Sequence, residues 1–352
     1  MSRSPRSAVP VFGALLTLTT ATLTGCATGS AASTPTTDAA ATVALPSGVP
    51  GGTILRVADQ NQLLHTLLAA SDQDKNLPYE ISWSAFQGGP AVLEAFRAKA
   101  VDVGFVADAP VLVAQAAGQK IRIVGAVQGS TSATHLWTSP TSTAKTVADL
   151  KGRKVAVTEG TTLQVAVLQA LKNAGLSSSD VTLAKLSPTD TPPALGANQV
   201  EVGALTEPLV SKYGAAYGTK GAHELADDQN LTSGLQFLIA PDTVAADSAK
   251  AAALADLSAR FTKAELWLTT HKDVWVQKYY VETQKLPKAV GDAVVANNGT
   301  ATIPTYAAAS AALQKVADLL AEYRALPTKV DAAAAFDQRF DAVQQAAAKS
   351  AG

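Results

Sequence analysis

Between residues 53 and 240 the sequence alternates short apolar, β-branched runs with segments of helical spacing, and this alternation is its strongest constraint on the fold. Val92, Leu93 and Phe96 have the spacing of one helix face, which predicts a helix over residues 90–100. Strands that alternate with helices are typical of a parallel sheet covered by helices, so we predict an α/β fold. The first strands are predicted at residues 53–58, 79–86, 101–106 and 120–127.

The same pattern begins again after residue 131. A helix is predicted at residues 163–174, ended by Gly175. Further strands are predicted at residues 154–157, 181–186, 200–205 and 235–240, the last of which should lead back to the first unit. We therefore predict two lobes, the first made of residues 53–131 and 235–352 and the second of residues 132–234.

The remaining residues, after 240, are predicted to be helical. Their apolar side chains recur at the spacing of a helix face, which indicates packing against a core rather than a partner site. We expect both of the resulting stripes to complete the first lobe. One stripe consists of Leu254, Leu257, Phe261 and Leu268, and the other of Leu313, Val316, Leu320 and Tyr323.

The composition is that of a globular protein, because 47% of the residues are hydrophobic and 16% are charged. Lysine and arginine number 28 against 29 aspartate and glutamate, a formal net charge of −1. No basic run follows the extreme N-terminus, so a nucleic-acid partner is not expected. We also find no P-loop, no Gly-x-Ser-x-Gly sequence and no glycine fingerprint after a strand, so the sequence does not predict an enzyme or a cofactor.

The first 52 residues are predicted to consist of an export signal and a flexible tether. Arg3 and Arg6 precede a short apolar stretch that ends in "LTGC", which has the layout of an export signal over residues 1–25. "LTGC" resembles the bacterial lipobox, which implies cleavage before Cys26 and lipid attachment to its sulfur. The alternative is an ordinary secretory signal that contains a cysteine. Residues 26–52 are rich in Ala, Thr, Ser, Gly and Pro and are predicted to be a flexible tether at the outer face of a bacterial cytoplasmic membrane.

Three stretches resemble the solute-binding proteins of ABC importers for alkanesulfonate, taurine and nitrate. They are "SWSAFQGGPAVLEAFRAKAVDVGFVADAPVLVAQAAG", "VADLKGRKVAVTEGTTLQVAVLQALKNAGL" and "VEVGALTEPLV". The resemblance implies a periplasmic-binding-protein fold of type II, with two crossing strands near residues 128–134 and 234–237. It also implies a monomer that closes on a small solute and delivers it to a membrane permease with a cytoplasmic ATPase.

Small residues open three of the predicted helices, and this pattern predicts an anion site. A helix N-terminus carries unpaired N–H groups and a partial positive charge, and small residues let a ligand approach it. Sulfonate, nitrate, carboxylate or phosphate would suit such a site. Tight-turn, N-cap and hinge roles remain the alternatives for individual residues. The predicted ligand contacts are Asn61, Gln87, Gly88, Gly89, Asp108, Ala109, Ser130, Thr161, Thr162 and Glu207.

Glu207 departs from the pattern of the family that the sequence resembles. The family often has an aromatic residue, an acid and a proline at this place, whereas this chain has Thr206, Glu207 and Pro208. A carboxylate in a cleft repels a bare anion, so it would favour a zwitterion such as an aminoalkanesulfonate, or a nitrogen heterocycle such as a thiamine precursor. The alternative is that Glu207 pairs with Lys212 outside the cleft. A second alternative function is a receptor that senses the solute rather than importing it.

The histidines and two of the tryptophans are predicted to be structural. The four histidines are scattered without a metal-binding spacing, so no metal site is predicted. Trp83 and Trp137 fall on predicted strands, where core packing is expected. The histidines are His65, His135, His223 and His271.

Overall fold

The structure is a computed structural model that describes residues 44–351. The predicted signal segment, the predicted tether up to residue 43 and Cys26 lie outside the described residues. The predicted alternation of strands and helices is confirmed, with boundaries that differ by a few residues. The strands are β1 (Ile54–Gln60), β2 (Glu80–Phe86), β3 (Val103–Ala107), β4 (Ile121–Gln128), β5 (Thr134–Thr138), β6 (Lys154–Val157), β7 (Thr182–Lys185), β8 (Val202–Thr206) and β9 (Leu235–Pro241).

Helices connect the strands and form most of the chain after β9. A π-helix, Val276–Thr283, directly follows α9. The α-helices are α1 (Leu63–Ala70), α2 (Gly89–Arg97), α3 (Asp108–Ala116), α4 (Thr162–Asn173), α5 (Thr191–Gly196), α6 (Leu209–Tyr217), α7 (Asp242–Ala246), α8 (Ser248–Thr270), α9 (Lys272–Trp275), α10 (Lys288–Asn297), α11 (Tyr306–Glu322) and α12 (Arg339–Ala351).

The described strands form two sheets. The five-stranded sheet has the order β2-β1-β3-β9-β4, and the four-stranded sheet has the order β5-β8-β6-β7. We call the part of the chain built on the five-stranded sheet lobe one and the part built on the four-stranded sheet lobe two. The pairs β1–β2, β1–β3, β6–β7 and β6–β8 are parallel as expected, whereas β9 runs antiparallel to β3 and β4, and β5 runs antiparallel to β8. Each exception is the strand through which the chain enters a sheet from the other lobe.

The chain passes between the two sheets twice, through residues 129–133 and through the residues before β9. The second passage lies earlier than expected, because Leu235 and Phe237 already pair with β4. The two segments hold each other, since the Gly129 N–H donates to the Gly234 carbonyl oxygen over 2.9 Å. Gly234 has a φ of 69°, and a Cβ atom there would lie 2.5 Å from the Gly129 carbonyl oxygen. Only glycine fits at this crossing.

The two apolar stripes of the C-terminal helices pack as predicted, with one exception each. Leu257 and Phe261 of α8 are fully buried, whereas Leu268 is half-buried. Leu313 and Leu320 of α11 are buried in the same core. The stripe on α11 ends in Tyr323, which does not complete lobe one as expected: its hydroxyl donates to the Leu176 carbonyl oxygen of lobe two at 2.6 Å.

The outer edge of β4 is covered by one buried side chain. Gln344 of α12 is fully buried, and its Oε1 accepts a hydrogen bond from the Ala126 N–H at 2.7 Å. Its Nε2 donates to the Thr262 hydroxyl at 2.8 Å and to the Ala126 carbonyl oxygen at 3.3 Å. β4 is an edge strand, so this amide replaces the neighbouring strand that the sheet lacks there.

Replacing Gln344 with methionine keeps the side-chain length and leaves the buried Ala126 N–H without its acceptor. We expect Gln344→Met to lower the free energy of unfolding by about 1–3 kcal/mol, the cost of an unsatisfied buried polar group. Gln338→Met, at an exposed position, should change it by less than about 0.5 kcal/mol. Urea unfolding followed by circular dichroism measures both, and equal stabilities of the two variants would contradict the assigned role.

Candidate functional site

A cavity of about 340 Å³ lies where the two lobes and the crossing segments meet. Its walls include Leu63 of α1 and Ala107 at the end of β3 from lobe one. Lobe two contributes the first residue of α4 and the ends of two strands, and both crossing segments contribute backbone and side chains. A volume of this size accommodates a small organic solute.

Hydroxyl groups provide most of the polar side chains in the cavity. They come from both crossing segments, from two neighbouring strands and from α4, and they belong to Ser130, Thr134, Thr162, Thr206 and Thr232. No lysine, arginine or histidine is among the described residues that line the cavity. An anion bound here would therefore be held by neutral donors and helix N-termini rather than by an opposite charge.

Thr134 and Thr206 form a pair of donors in this set. They face each other in the antiparallel register of β5 and β8, and both line the cavity. Neither hydroxyl has a hydrogen-bond partner among the described residues, in contrast to the Thr162 hydroxyl, which donates to Asp108 at 2.7 Å. Two adjacent hydroxyls without acceptors are well suited to donate to two oxygens of one solute group.

Asp108, the first residue of α3, joins the two lobes behind the cavity. Its carboxylate is fully buried and accepts hydrogen bonds from the Thr162 hydroxyl at 2.7 Å and from the Ser233 hydroxyl at 2.5 Å. Burial raises the pKa of Asp108, and the hydrogen bonds from Ser233 and Thr162 counteract part of that effect. The Ala109 N–H also donates to this carboxylate, at 2.7 Å. Asp108 and Ala109 therefore position Thr162 and do not themselves line the cavity.

The side chain of Glu265 is the only carboxylate among the described lining residues. It is 7% exposed, and it has no hydrogen-bond or ion-pair partner among residues 44–351. Burial raises the pKa of Glu265 to about 7. Trp275 and Tyr280 line the same cavity, together with Leu268.

The sequence analysis did not identify Glu265, Trp275 or Tyr280 as cavity residues, although the sequence contains a signal for Glu265. Glu265 lies four residues after Phe261 and three before Leu268, so it occupies a position on the apolar stripe of α8. A charged residue at such a position is buried when the stripe packs, and it then requires a partner or a proton. Trp275 and Tyr280 carry no comparable signal: Trp275 ends the short α9, and Tyr280 lies in the π-helix that follows it.

Of the predicted contacts, Ser130 and Thr162 line the cavity. Thr161 precedes α4 and donates its hydroxyl hydrogen to the Thr158 carbonyl oxygen at 2.7 Å. Asn61 is exposed, and its carbonyl oxygen accepts a hydrogen bond from the Gln284 amide at 2.7 Å. The structure thus brings two of the ten predicted residues to the cavity surface, and the remaining contacts stay predictions.

The glycine turn at residues 87–89 has a packing role in the structure. Gly88 has a φ of 81°, and Gln87 is exposed. Gly89 is buried, and a Cβ atom on it would lie 2.3 Å from Cγ of Pro110. The start of α2 therefore packs directly on the start of α3, and the turn does not belong to the cavity lining.

Glu207 caps the helix that follows it. Its carboxylate accepts hydrogen bonds from the Ser211 N–H at 3.1 Å and from the Ser211 hydroxyl at 2.8 Å, in the first turn of α6. The alternative that it pairs with Lys212 is not observed among the described ion pairs. Glu207 is not among the lining residues, although its charge, after burial, contributes to raising the pKa of Tyr280 to about 12.

One group of potential metal ligands was not anticipated from the sequence. His135, Glu224 and Asp228 bring their ligand atoms within 4.8 Å of one another. Nδ1 of His135 lies 3.6 Å from an oxygen of Asp228 and 3.5 Å from an oxygen of Glu224, and these two carboxylates raise the pKa of His135 to about 10. We interpret the group as an ion pair within lobe two.

The packing role of Gly89 can be tested by adding one methyl group. We expect Gly89→Ala to lower the free energy of unfolding by about 1–3 kcal/mol, because the new Cβ atom overlaps Pro110. Gly51→Ala is the matched control, since a Cβ atom there meets nothing within 4 Å, and it should change stability by less than about 0.5 kcal/mol. Thermal and urea unfolding compare the two, and a neutral Gly89→Ala would disprove the close approach.

The raised pKa of Glu265 predicts a pH-dependent stability. Between its ordinary value of 4.5 and about 7 the folded protein retains a proton on Glu265 that the unfolded chain releases. The free energy of unfolding therefore falls as the pH rises through this range, by about 3 kcal/mol at about 1.36 kcal/mol per pH unit. Glu265→Gln lacks this titration, so the variant should gain stability relative to the wild type by about that amount.

Urea unfolding at about pH 5 and about pH 8 measures the gain. The exposed Glu80→Gln serves as the control for removal of a glutamate charge and should change stability by less than about 0.5 kcal/mol. A difference between Glu265→Gln and the wild type that is the same at both pH values would show that Glu265 does not hold the proton.

Two α/β lobes joined by two crossing segments around a solute-sized cavity are the architecture of the bilobed solute-binding proteins. Comparisons with known proteins point to the same class. The profile of the family described as "NMT1/THI5 like" matches residues 85–258. The "Putative aliphatic sulfonates-binding protein" of Escherichia coli (strain K12) is 32% identical over 281 residues, which are 79% of this chain and 86% of the relative.

Solved structures show the same relationship. The alkanesulfonate-binding protein SsuA from Xanthomonas axonopodis pv. citri, bound to MOPS, aligns with a TM-score of 0.70 and 29% identity over 82% of this chain and 99% of its own. The periplasmic aliphatic sulphonate binding protein SsuA from Escherichia coli aligns with a TM-score of 0.69 and 31% identity over 80% and 96%. The desulfurization enzyme DSZB, at 14% identity and a TM-score of 0.59, shares the fold alone. The chain belongs to the SsuA-like family of ABC-importer solute-binding proteins, and its predicted two-lobed fold is confirmed.

Proposed function

We propose that this protein is an exported receptor that binds an organic sulfonate in the cavity between its lobes and delivers it to the permease and cytoplasmic ATPase of an ABC importer. The observation that carries this proposal is a cavity rich in hydroxyl groups, without lysine, arginine or histidine among its described lining residues, in a chain whose relatives are named as sulfonate-binding proteins. A sulfonate spreads one negative charge over three oxygens and accepts hydrogen bonds from neutral donors at each. The role is binding and release of the solute, without turnover.

Lobe two offers donors that suit such a group. The hydroxyls of Thr134 and Thr206 lie side by side, and the first N–H groups of α4 have no acceptor within the helix. Thr162 donates its hydroxyl hydrogen to Asp108, so its contribution to the solute is its place at the start of α4. The positive end of the α4 dipole adds to the attraction of an anion. Together these donors satisfy the sulfonate oxygens without a salt bridge.

The apolar part of the cavity would hold the carbon chain of the solute. Leu63 and Leu67 of α1 and Leu268 of α8 line it. Burying a methylene group contributes about 0.8 kcal/mol, so several carbon atoms favour an organic sulfonate over sulfate or nitrate. MOPS, the compound bound by the Xanthomonas relative, is an organic sulfonate of this kind.

We further propose the arrangement at the membrane that the sequence predicts. Residues 1–25 direct export, Cys26 carries lipid, and residues 26–52 tether the receptor. The lobe boundaries of 53–131 with 235–352, and of 132–234, belong to the same proposal. Within residues 44–351 no helix, the long α8 included, has the length and hydropathy needed to span a bilayer. The relatives are named as sulfonate-binding proteins, and these names do not favour the alternatives of a sensor or of a receptor for a nitrogen heterocycle.

Thermal unfolding with a panel of anions tests the function. We expect butane-1-sulfonate or MOPS to raise the melting temperature of the purified protein, and a ligand at a hundred times its dissociation constant stabilises by about 2.7 kcal/mol. Sulfate, nitrate and butanoate should shift it much less. Thr206→Val keeps the shape of the side chain and removes one donor, so it should weaken sulfonate binding about 10–100-fold.

The exposed Thr328→Val is the matched control and should leave binding unchanged. Absence of a shift with every sulfonate would refute the proposed function. Binding that Thr206→Val does not weaken would place the sulfonate away from the paired hydroxyls.

A further inference from the structure

We infer that Glu265, Trp275 and Tyr280 form a subsite for a cationic group, so that the solute is a zwitterion, a sulfonate that also carries an ammonium. This inference rests on the proposed function and specifies the class of sulfonate. Neither the family match nor the names of the relatives assigns a role to these three residues.

The first argument is the isolation of Glu265. The side chain is more than nine-tenths buried, it lines the cavity, and its carboxylate has no hydrogen-bond or ion-pair partner within residues 44–351. Other buried carboxylates of the protein are satisfied: Asp102 binds Arg56 and Lys250, and Asp108 binds two hydroxyls. A buried carboxylate without a partner is costly, so the missing partner is expected to come with the ligand.

The second argument is the identity of the neighbouring lining residues. Trp275 and Tyr280 are 4% and 8% exposed and line the same cavity as Glu265. Trp275 stacks on Tyr279 with ring centroids 4.6 Å apart, which holds its ring in place. Aromatic faces attract cations, and a cavity lined by both a carboxylate and aromatic rings offers the side-chain types that bind amines and quaternary ammonium groups.

The third argument is the charge balance of the cavity. Its described lining contains one carboxylate and no basic residue, so a simple alkanesulfonate would add a second negative charge beside Glu265. A zwitterion brings a positive charge to Glu265 on the lobe-one wall and a negative charge to the hydroxyls of lobe two. A metal ion would not serve as the cation, because one carboxylate among apolar and aromatic residues lacks the oxygen ligands that hard cations require.

Two solutes of the same shape test whether the cavity prefers a zwitterionic sulfonate to a simple alkanesulfonate. 3-Aminopropane-1-sulfonate and butane-1-sulfonate differ only in an ammonium that replaces a methyl group. We expect isothermal titration calorimetry on the wild-type protein at about pH 8, where Glu265 is ionised, to show at least about 10-fold tighter binding of the aminated solute. In Glu265→Gln this preference should fall to about twofold or less, because the aminated solute loses its attraction to the carboxylate and butane-1-sulfonate loses its repulsion from it.

Two further variants complete the experiment. Trp275→Leu should lower the preference for the ammonium without changing the binding of butane-1-sulfonate by more than about threefold, because it removes an aromatic face and keeps an apolar contact. Glu80→Gln, at an exposed position, is the control that should keep the wild-type preference. The wild-type ratio is informative even where a variant does not fold.

The outcomes distinguish this inference from the function on which it rests. Equal binding of the two solutes by the wild type, or tighter binding of butane-1-sulfonate, overturns the cation subsite and leaves sulfonate binding in place. A preference for the aminated solute that survives in Glu265→Gln also overturns it, since the ammonium would then lie elsewhere. Failure of both solutes to bind overturns the proposed function together with this inference.

Discussion

The arrangement of the cavity depends on a buried carboxylate that serves both lobes. Asp108 begins α3 of lobe one, yet its oxygens accept hydrogens from Thr162 at the start of α4 and from Ser233 in a crossing segment. No cation neutralises it among the described partners, so its burial is tolerable only while these donors stay in place. The carboxylate therefore fixes the start of α4 against lobe one, and the geometry of the cavity follows from that contact.

This contact also decides which helix N-terminus is available to a solute. The Ala109 N–H is already used by Asp108, so α3 is capped by its own first residue. The start of α4 keeps its first N–H groups, because Thr161, the residue before the helix, donates its hydroxyl hydrogen to the Thr158 carbonyl oxygen and its side chain accepts no hydrogen bond from the helix backbone. The N-terminus of α3 is thus used within the protein itself, whereas the N-terminus of α4 remains available to bind a solute.

Much of the fold could be predicted from the sequence, because alternating strand and helix patterns and glycine turns are local signals. Strand directions could not, since β9 lies between β3 and β4 only after the chain has passed through lobe two. The residues that line the cavity were harder to predict from the sequence than the strand directions. Thr162 was found through its place at a helix start, whereas the turn at Gly89 serves packing. Glu265 and Trp275 lie far from every motif, and tertiary packing alone brings them to the cavity.

The position of β9 has a consequence for how the protein is made. β9 lies between β3 and β4 in the five-stranded sheet, but it leaves the ribosome only after all of lobe two. The first 128 residues therefore cannot complete their sheet on their own, and β3 and β4 must wait for a partner more than a hundred residues later. Contacts so distant in sequence slow folding. This delay would suit the export that we propose, because the larger lobe cannot form before β9 has been made.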